Sequence, residues 1–112
     1  MLINGINYVN CTPHELRVFD SNRNVHLIPD DSGHLIRVQK QFVNGYSNGF
    51  YDNRVEFSCI PKLPPRMEDT IYIVSCVTLD MIKHAGLDRK DFRSPGKIHE
   101  VDGKEVCLGF VG

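Results

Sequence analysis

No stretch of the sequence approaches the roughly 20 apolar residues that a membrane-spanning helix needs. The opening, MLINGINYVN, carries neither a basic segment nor an apolar run of signal-peptide length. Together these predict a chain that stays in the cytoplasm of the cell that makes it, with no membrane partner. An excess of one charge is missing too: thirteen Lys and Arg face fourteen Asp and Glu, a net charge of −1. That leaves no global field to hold a polyanion, so duplex nucleic acid is not an expected partner. The four cysteines, Cys11, Cys59, Cys76 and Cys107, form no C-x-x-C pair, and without a secretory signal they read as isolated thiols. The G-x-G-x-x-G, P-loop and H-E-x-x-H patterns are absent. His26, His34, His84 and His99 lack metal-ligand spacing and read as scattered surface groups. No metal and no cofactor is expected.

What is present is an ordinary globular composition. At 112 residues, 41% hydrophobic and 24% charged, the chain can bury about two-thirds of its unfolded surface around one core, so residues 1–112 are read as a single domain. Ile6–Asn10 is β-prone. Asn10-Cys11-Thr12-Pro13-His14 has the form of a capping box, but the pattern after it is too short for a helix and predicts one tight turn feeding a strand. Asp20 to Asn24 predicts a hairpin loop between strands Leu16–Phe19 and Val25–Ile28. Leu35–Val43 is expected to pair with Arg54–Ile60. Between them Asn44-Gly45 and Asn48-Gly49 bracket what reads as a loop carrying Tyr46, Phe50 and Tyr51. Pro61, Pro64 and Pro65 predict an extended linker.

The continuous apolar run Thr70–Ser75 predicts a central strand buried on both faces. Val77, Met81, Ile82 and Ala85 then form one helical stripe, with Gly86 at the left-handed position that ends a helix. Residues 88–96 have no periodicity, and Pro95-Gly96 predicts a turn. A last hairpin joins Ile98–Val101 to Val106–Phe110 through Asp102-Gly103. The predicted architecture is α+β, a mostly antiparallel or mixed sheet of about seven strands with one helix near 76–85.

Three places offer chemistry. Asn10, Thr12 and His14 sit on one turn that can converge on a phosphate, or can simply cap and brace that turn. Arg89, Lys90 and Arg93, interleaved with Asp88, Asp91 and Ser94, can grip an anion through forked guanidinium geometry, or can be a solvated charged loop. Ser75 ends the buried strand just before the helix, where amides attract anions and where a hydroxyl also caps. It lacks a G-x-S-x-G elbow, so a hydrolase nucleophile is not supported. Arg37 projects from a β-prone strand toward the same expected pocket. The aromatics at 46–51 can stack a base or make a subunit contact.

In order along the chain, Asn10-x-Thr12-Pro13-His14, Ile28-Pro29-x-x-Ser32-Gly33 with Arg37-Val38, Tyr72-Ile73-Val74-Ser75 and Arg89-x-Asp91-x-x-x-Pro95 resemble a family of small proteins encoded by bacteriophages and prophages. Asp30-Asp31-Ser32 is more polar than the family pattern, and the aromatic insert 46–53 is peculiar to this chain. The resemblance brings no activity with it. By analogy with compact phage proteins that sequester nucleotide second messengers of bacterial defence, it implies capture of a small nucleotide-like anion, in the cytoplasm of a bacterial host. Asn10, Thr12, His14, Arg37, Ser75, Arg89, Asp91 and Ser94 are the expected ligand-binding residues, with a symmetric homo-oligomer as the expected assembly. Two rivals stand beside it: a small enzyme using His14 as general acid/base oriented by Asp91, and an inhibitor that contacts a host enzyme through the aromatic insert.

Overall fold

Short β-prone runs joined by two-residue turns build most of the chain. The computed structural model describes residues 1–30, 35–36, 40–57 and 62–112, and the side chains of these except 40–44, 46–47 and 51–57. Three turns share one conformation: Asn4-Gly5, Asn48-Gly49 and Asp102-Gly103 each place both residues at positive φ, between 50° and 83°. This is the type I′ turn, whose twist matches that of paired strands. The turns close β1 (Leu2–Ile3) on β2 (Ile6–Asn10), β5 (Lys40–Ser47) on β6 (Phe50–Phe57), and β8 (Phe92–Val101) on β9 (Lys104–Val111). A fourth hairpin pairs β3 (Leu16–Phe19) with β4 (Val25–Ile28). Its loop is held by Asp20, whose Oδ1 accepts the backbone N–H groups of Asn22 at 2.8 Å and Asn24 at 2.9 Å.

Strand β7 (Thr70–Ile73) leads into helix α1 (Cys76–His84). Ser75 adopts the extended N-cap conformation and its Oγ accepts the Thr78 N–H at 3.3 Å. At the other end Gly86, at φ 71°, donates to Lys83 O, and Leu87 donates to Ile82 O. These crossed bonds are a Schellman closure, so both ends of the helix lie where the sequence pattern puts them.

Seven strands form one mixed sheet in the order β1-β2-β7-β8-β9-β3-β4, and β5-β6 form a separate two-stranded sheet. Strands β2, β7 and β8 are mutually parallel, β9 is parallel to β3, and the remaining pairs are antiparallel. The predicted α+β architecture with a mixed sheet and one helix is therefore the architecture found. Strand β7 is interior and buried on both faces, as its apolar run demands. Tyr72 and Val74 pack with Leu79, Met81, Ile82 and Phe92 beneath the helix, while Ile73 joins Val18, Ile28 and Cys107 on the opposite face. The sheet curls around that second core. Tyr8 on β2 stacks on Phe110 of β9 with ring centroids 5.3 Å apart, and Asn10 on β2 reaches Ile28 O of β4 across the curl.

Two segments differ from the sequence expectation. The aromatic insert is not a loop: β5 runs through Tyr46 and Ser47, which pair with Tyr51 and Phe50, and only Asn48-Gly49 turns. A two-residue turn suffices there, so the β-forming aromatics extend the ladder. Asn44-Gly45 lies within that ladder, opposite Asn53 and Asp52. The predicted pairing of Leu35–Val43 with Arg54–Ile60 is found for Lys40–Val43 with Arg54–Phe57; residues 37–39 and 58–60 lie outside the described residues.

Pro95-Gly96, likewise, does not turn the chain, because β8 begins at Phe92 and continues through both. Pro95 follows the last bond to β7, from Val74 N–H to Arg93 O, so β7 asks for no donor at that position. Gly96 is needed for packing: a Cβ there would lie 2.4 Å from Leu108 O on β9.

Candidate functional site

The turn after β2 is a polar clasp rather than an open receptor. Asn10 is buried, and each of its side-chain atoms makes two bonds. Its Oδ1 accepts the Thr12 N–H at 3.0 Å and the Thr12 hydroxyl at 2.6 Å, while Nδ2 donates to His14 O at 2.7 Å and Ile28 O at 3.3 Å. The Thr12 hydroxyl also lies 3.0 Å from His14 O. Buried amides must be bonded in this way, and here the bonding spends Asn10 and Thr12 on closing the curl. His14 contributes its carbonyl, while its imidazole stands in solvent. Ser75 Oγ, already the helix cap, lies 3.0 Å from Thr78 Oγ1. Ser94 is buried on β8, at 4% exposure.

Arg89 and Asp91 form a second closed unit. Arg89 Nε and Nη2 donate to Asp91 Oδ1 and Oδ2 at 3.0 and 2.9 Å, and Nη2 also donates to Pro64 O at 2.7 Å. The guanidinium carbon lies 4.9 Å from the centre of the Phe92 ring. Burial raises the Asp91 carboxyl, but the Arg89 fork and Asp91's own backbone amide bring it net below the usual carboxylate range. The same fork raises Arg89 further. Tyr72 Oη donates to Pro65 O at 3.0 Å and Arg66 donates to Asp88 O, so residues 64–66 are tied to β7 once and to the loop before β8 twice.

The register separates these two units. Asn10 is level with Ile73, and Ile73 with Arg93, on strands that run the same way. Thr12–His14 and Ser75 therefore lie beyond the carboxyl ends of β2 and β7, whereas Arg89 and Asp91 precede β8 at its amino end. The common pocket expected of them is replaced by two separate polar regions, because α1 carries the chain back along the sheet before β8 begins. Arg37 and His34 lie outside the described residues.

What the charged loop does form is a groove against the end of α1. Lys83, Arg89, Lys90 and Arg93, together with Asp88, line a space of about 420 Å³ over an apolar floor that includes Ile82 and Phe92; none of Asn10, Thr12, His14 or Ser75 reaches it. Lys83 Nζ donates to Gly112 O at 2.7 Å, and Arg93 Nη1 donates to Phe92 O at 2.8 Å and to Lys90 O. The Lys90 ammonium has no partner among the described residues. Lys83 was not singled out by the sequence; its place in the last turn of a well-signed helix, six residues before Arg89, is the signal that could have found it.

Among the described residues no three His, Cys, Asp or Glu side chains cluster to hold a metal ion, and no helix is long and apolar enough to cross a membrane. No protein-family model, no curated protein and no solved structure matches the chain.

Proposed function

We propose that this chain is a binding protein that captures a small nucleotide-type anion in the groove between the end of α1 and the loop 88–93. One observation carries the reading: four cationic side chains, beside the single Asp88 side chain of opposite charge, meet over one apolar floor in a chain whose net charge is −1. Such a floor suits a ring and such a rim suits phosphate, the usual division of labour in a ligand pocket. The Lys90 ammonium is the contact left over, Lys83 is bonded to Gly112 O, and the forked guanidinium of Arg89 is the fixed wall. The groove borders the carboxyl end of α1, so side chains and not helix amides hold the charge. With the phage-like motifs, the ligand class is that of the nucleotide second messengers of bacterial defence, and the action is sequestration.

Calorimetric titration with cyclic dinucleotides and cyclic ADP-ribose isomers tests this. Binding is expected to weaken about tenfold in Lys90→Glu, and to weaken as salt screens the exposed charges, over a Debye length of about 10 Å at 0.1 M. Ligand recovered after denaturing the protein is expected intact; an altered ligand would mean turnover. Affinities no tighter than millimolar for every nucleotide tried would remove the proposal.

A second reading rests on the β5–β6 hairpin. Phe50, beside its turn, is 74% exposed, and the hairpin pairs with no other described strand, which fits a protein contact that inhibits a host enzyme. Phe50→Ala would then abolish activity in infected cells while Lys90→Glu left it unchanged.

A further inference from the structure

A second cavity lies on the other face of the sheet, inside the curl. It measures about 280 Å³ and is walled by Tyr8, Val18, Ile28 and Phe110, with Asp20 and His26 at its polar side. Tyr8 and Phe110, stacked on each other at an inclination of 21°, both line this space. The polar side is built from a hairpin. Antiparallel pairing of β3 with β4 sets Val18 opposite His26, and the imidazole Nε2 lies 2.8 Å from Asp20 Oδ2. Asp20 is itself held, because its Oδ1 accepts two backbone amides of the loop. Its carboxyl is kept below the ordinary range first by the imidazole and then by the Asn24 amide.

A carboxylate that receives the Nε2 proton sets the tautomer of a neutral imidazole. In that neutral form the lone pair is left on Nδ1, as when a second group orients a catalytic or metal-bound histidine. Nδ1 has no partner among the described residues, and His26 lines the cavity. The site thus combines an aromatic wall, room for one ring system and an imidazole whose second nitrogen is not engaged by any described residue. We propose that this cavity is a second binding site, for a planar aromatic molecule that donates an O–H or N–H to His26 Nδ1. It is independent of the cationic groove, which lies on the helix side of the sheet.

Phenol and toluene are suitable probes, since they match in shape and differ in the donor. In NMR titrations of the full chain at neutral pH, phenol is expected to shift the resonances of Tyr8, Phe110 and His26 15Nδ1, and to bind about tenfold tighter than toluene, one hydrogen bond's difference. His26→Lys keeps a donor for Asp20 but has no acceptor, and should lower phenol to the toluene level. Lys83→Glu and Lys90→Glu should leave phenol binding unchanged, which separates this site from the groove. Equal affinities for phenol and toluene, shifts confined to residues away from the cavity, or an unaltered affinity in His26→Lys would each overturn the proposal. Should His26→Lys fail to fold, the wild-type 15Nδ1 shift decides: movement with phenol and not with toluene supports the site, and no movement overturns it.

Discussion

The clasp at Asn10–His14 and the groove at Lys83–Arg93 are both rich in polar side chains, yet they use them in opposite ways. At the clasp every polar atom of a buried Asn is bonded inside the protein. In the groove Lys90 is exposed and its ammonium is bonded to nothing described. A dense polar motif marks a brace when it is buried and satisfied, and a receptor only when some of its capacity is left over. Arg89 stands between the two, spent on Asp91 and Pro64 through Nε and Nη2 while it still lines the groove.

Substitutions can break that contrast in order of effect. Asn10→Ala should be the most damaging, at about 3 kcal/mol, because it strands the Thr12 N–H and the carbonyls of His14 and Ile28; the midpoint of urea unfolding reads this directly. Arg89→Met should cost about 2 kcal/mol, reduced from a fully buried pair because both side chains keep some exposure, 17% and 12%.

The pH dependence of that second loss is itself a prediction. Asp91 sits below its ordinary value when folded, so the pair's stabilisation is fully present above the unfolded pKa of about 4 and fades as pH falls through the lower folded value. The stability gap between wild type and Arg89→Met should therefore hold near neutrality and narrow on acidification below about pH 4. Equal gaps at pH 6 and pH 2.5 would show that packing against Phe92, not charge, accounts for the loss.

Milder changes sharpen the comparison from the other side. Ser75→Ala should cost about 1 kcal/mol through the lost cap, measured as a fall in thermal midpoint with no change in nucleotide affinity. Lys90→Ala should stay within about 0.5 kcal/mol of wild type in stability and still weaken nucleotide binding. A stability loss as large as that of Arg89→Met would mean that Lys90 is a brace as well, and the distinction between the two regions would fail.

The parts legible in the sequence are those decided by neighbours along the chain. The N-cap at Ser75, the stop at Gly86, the Asp102-Gly103 hairpin and the Asp20–Asn24 loop each close within a few residues. Their local signals and their structures therefore agree. The aromatic insert failed for a local reason too: two Asn-Gly pairs were available, and one of them, Asn44-Gly45, was absorbed into a strand. The candidate site was legible in residue type but not in arrangement. Arg89, Lys90 and Arg93 could be seen as anion ligands and Lys83 only through its place in the last turn of the helix, whereas the role of His26 and the separation of His14 from Arg89 could not.

By itself, the sequence determined the hairpins, the helix and its ends, and a strand with two buried faces, because turn chemistry and apolar periodicity act over a few residues. Only the tertiary structure decided which polar groups are consumed. Arg89 finds its carbonyl 25 residues away at Pro64, and Asn10 finds one 18 residues away at Ile28. A bond between residues that far apart depends on strand order and on the curl of the sheet, and both come from burying two cores at once on opposite faces of β7.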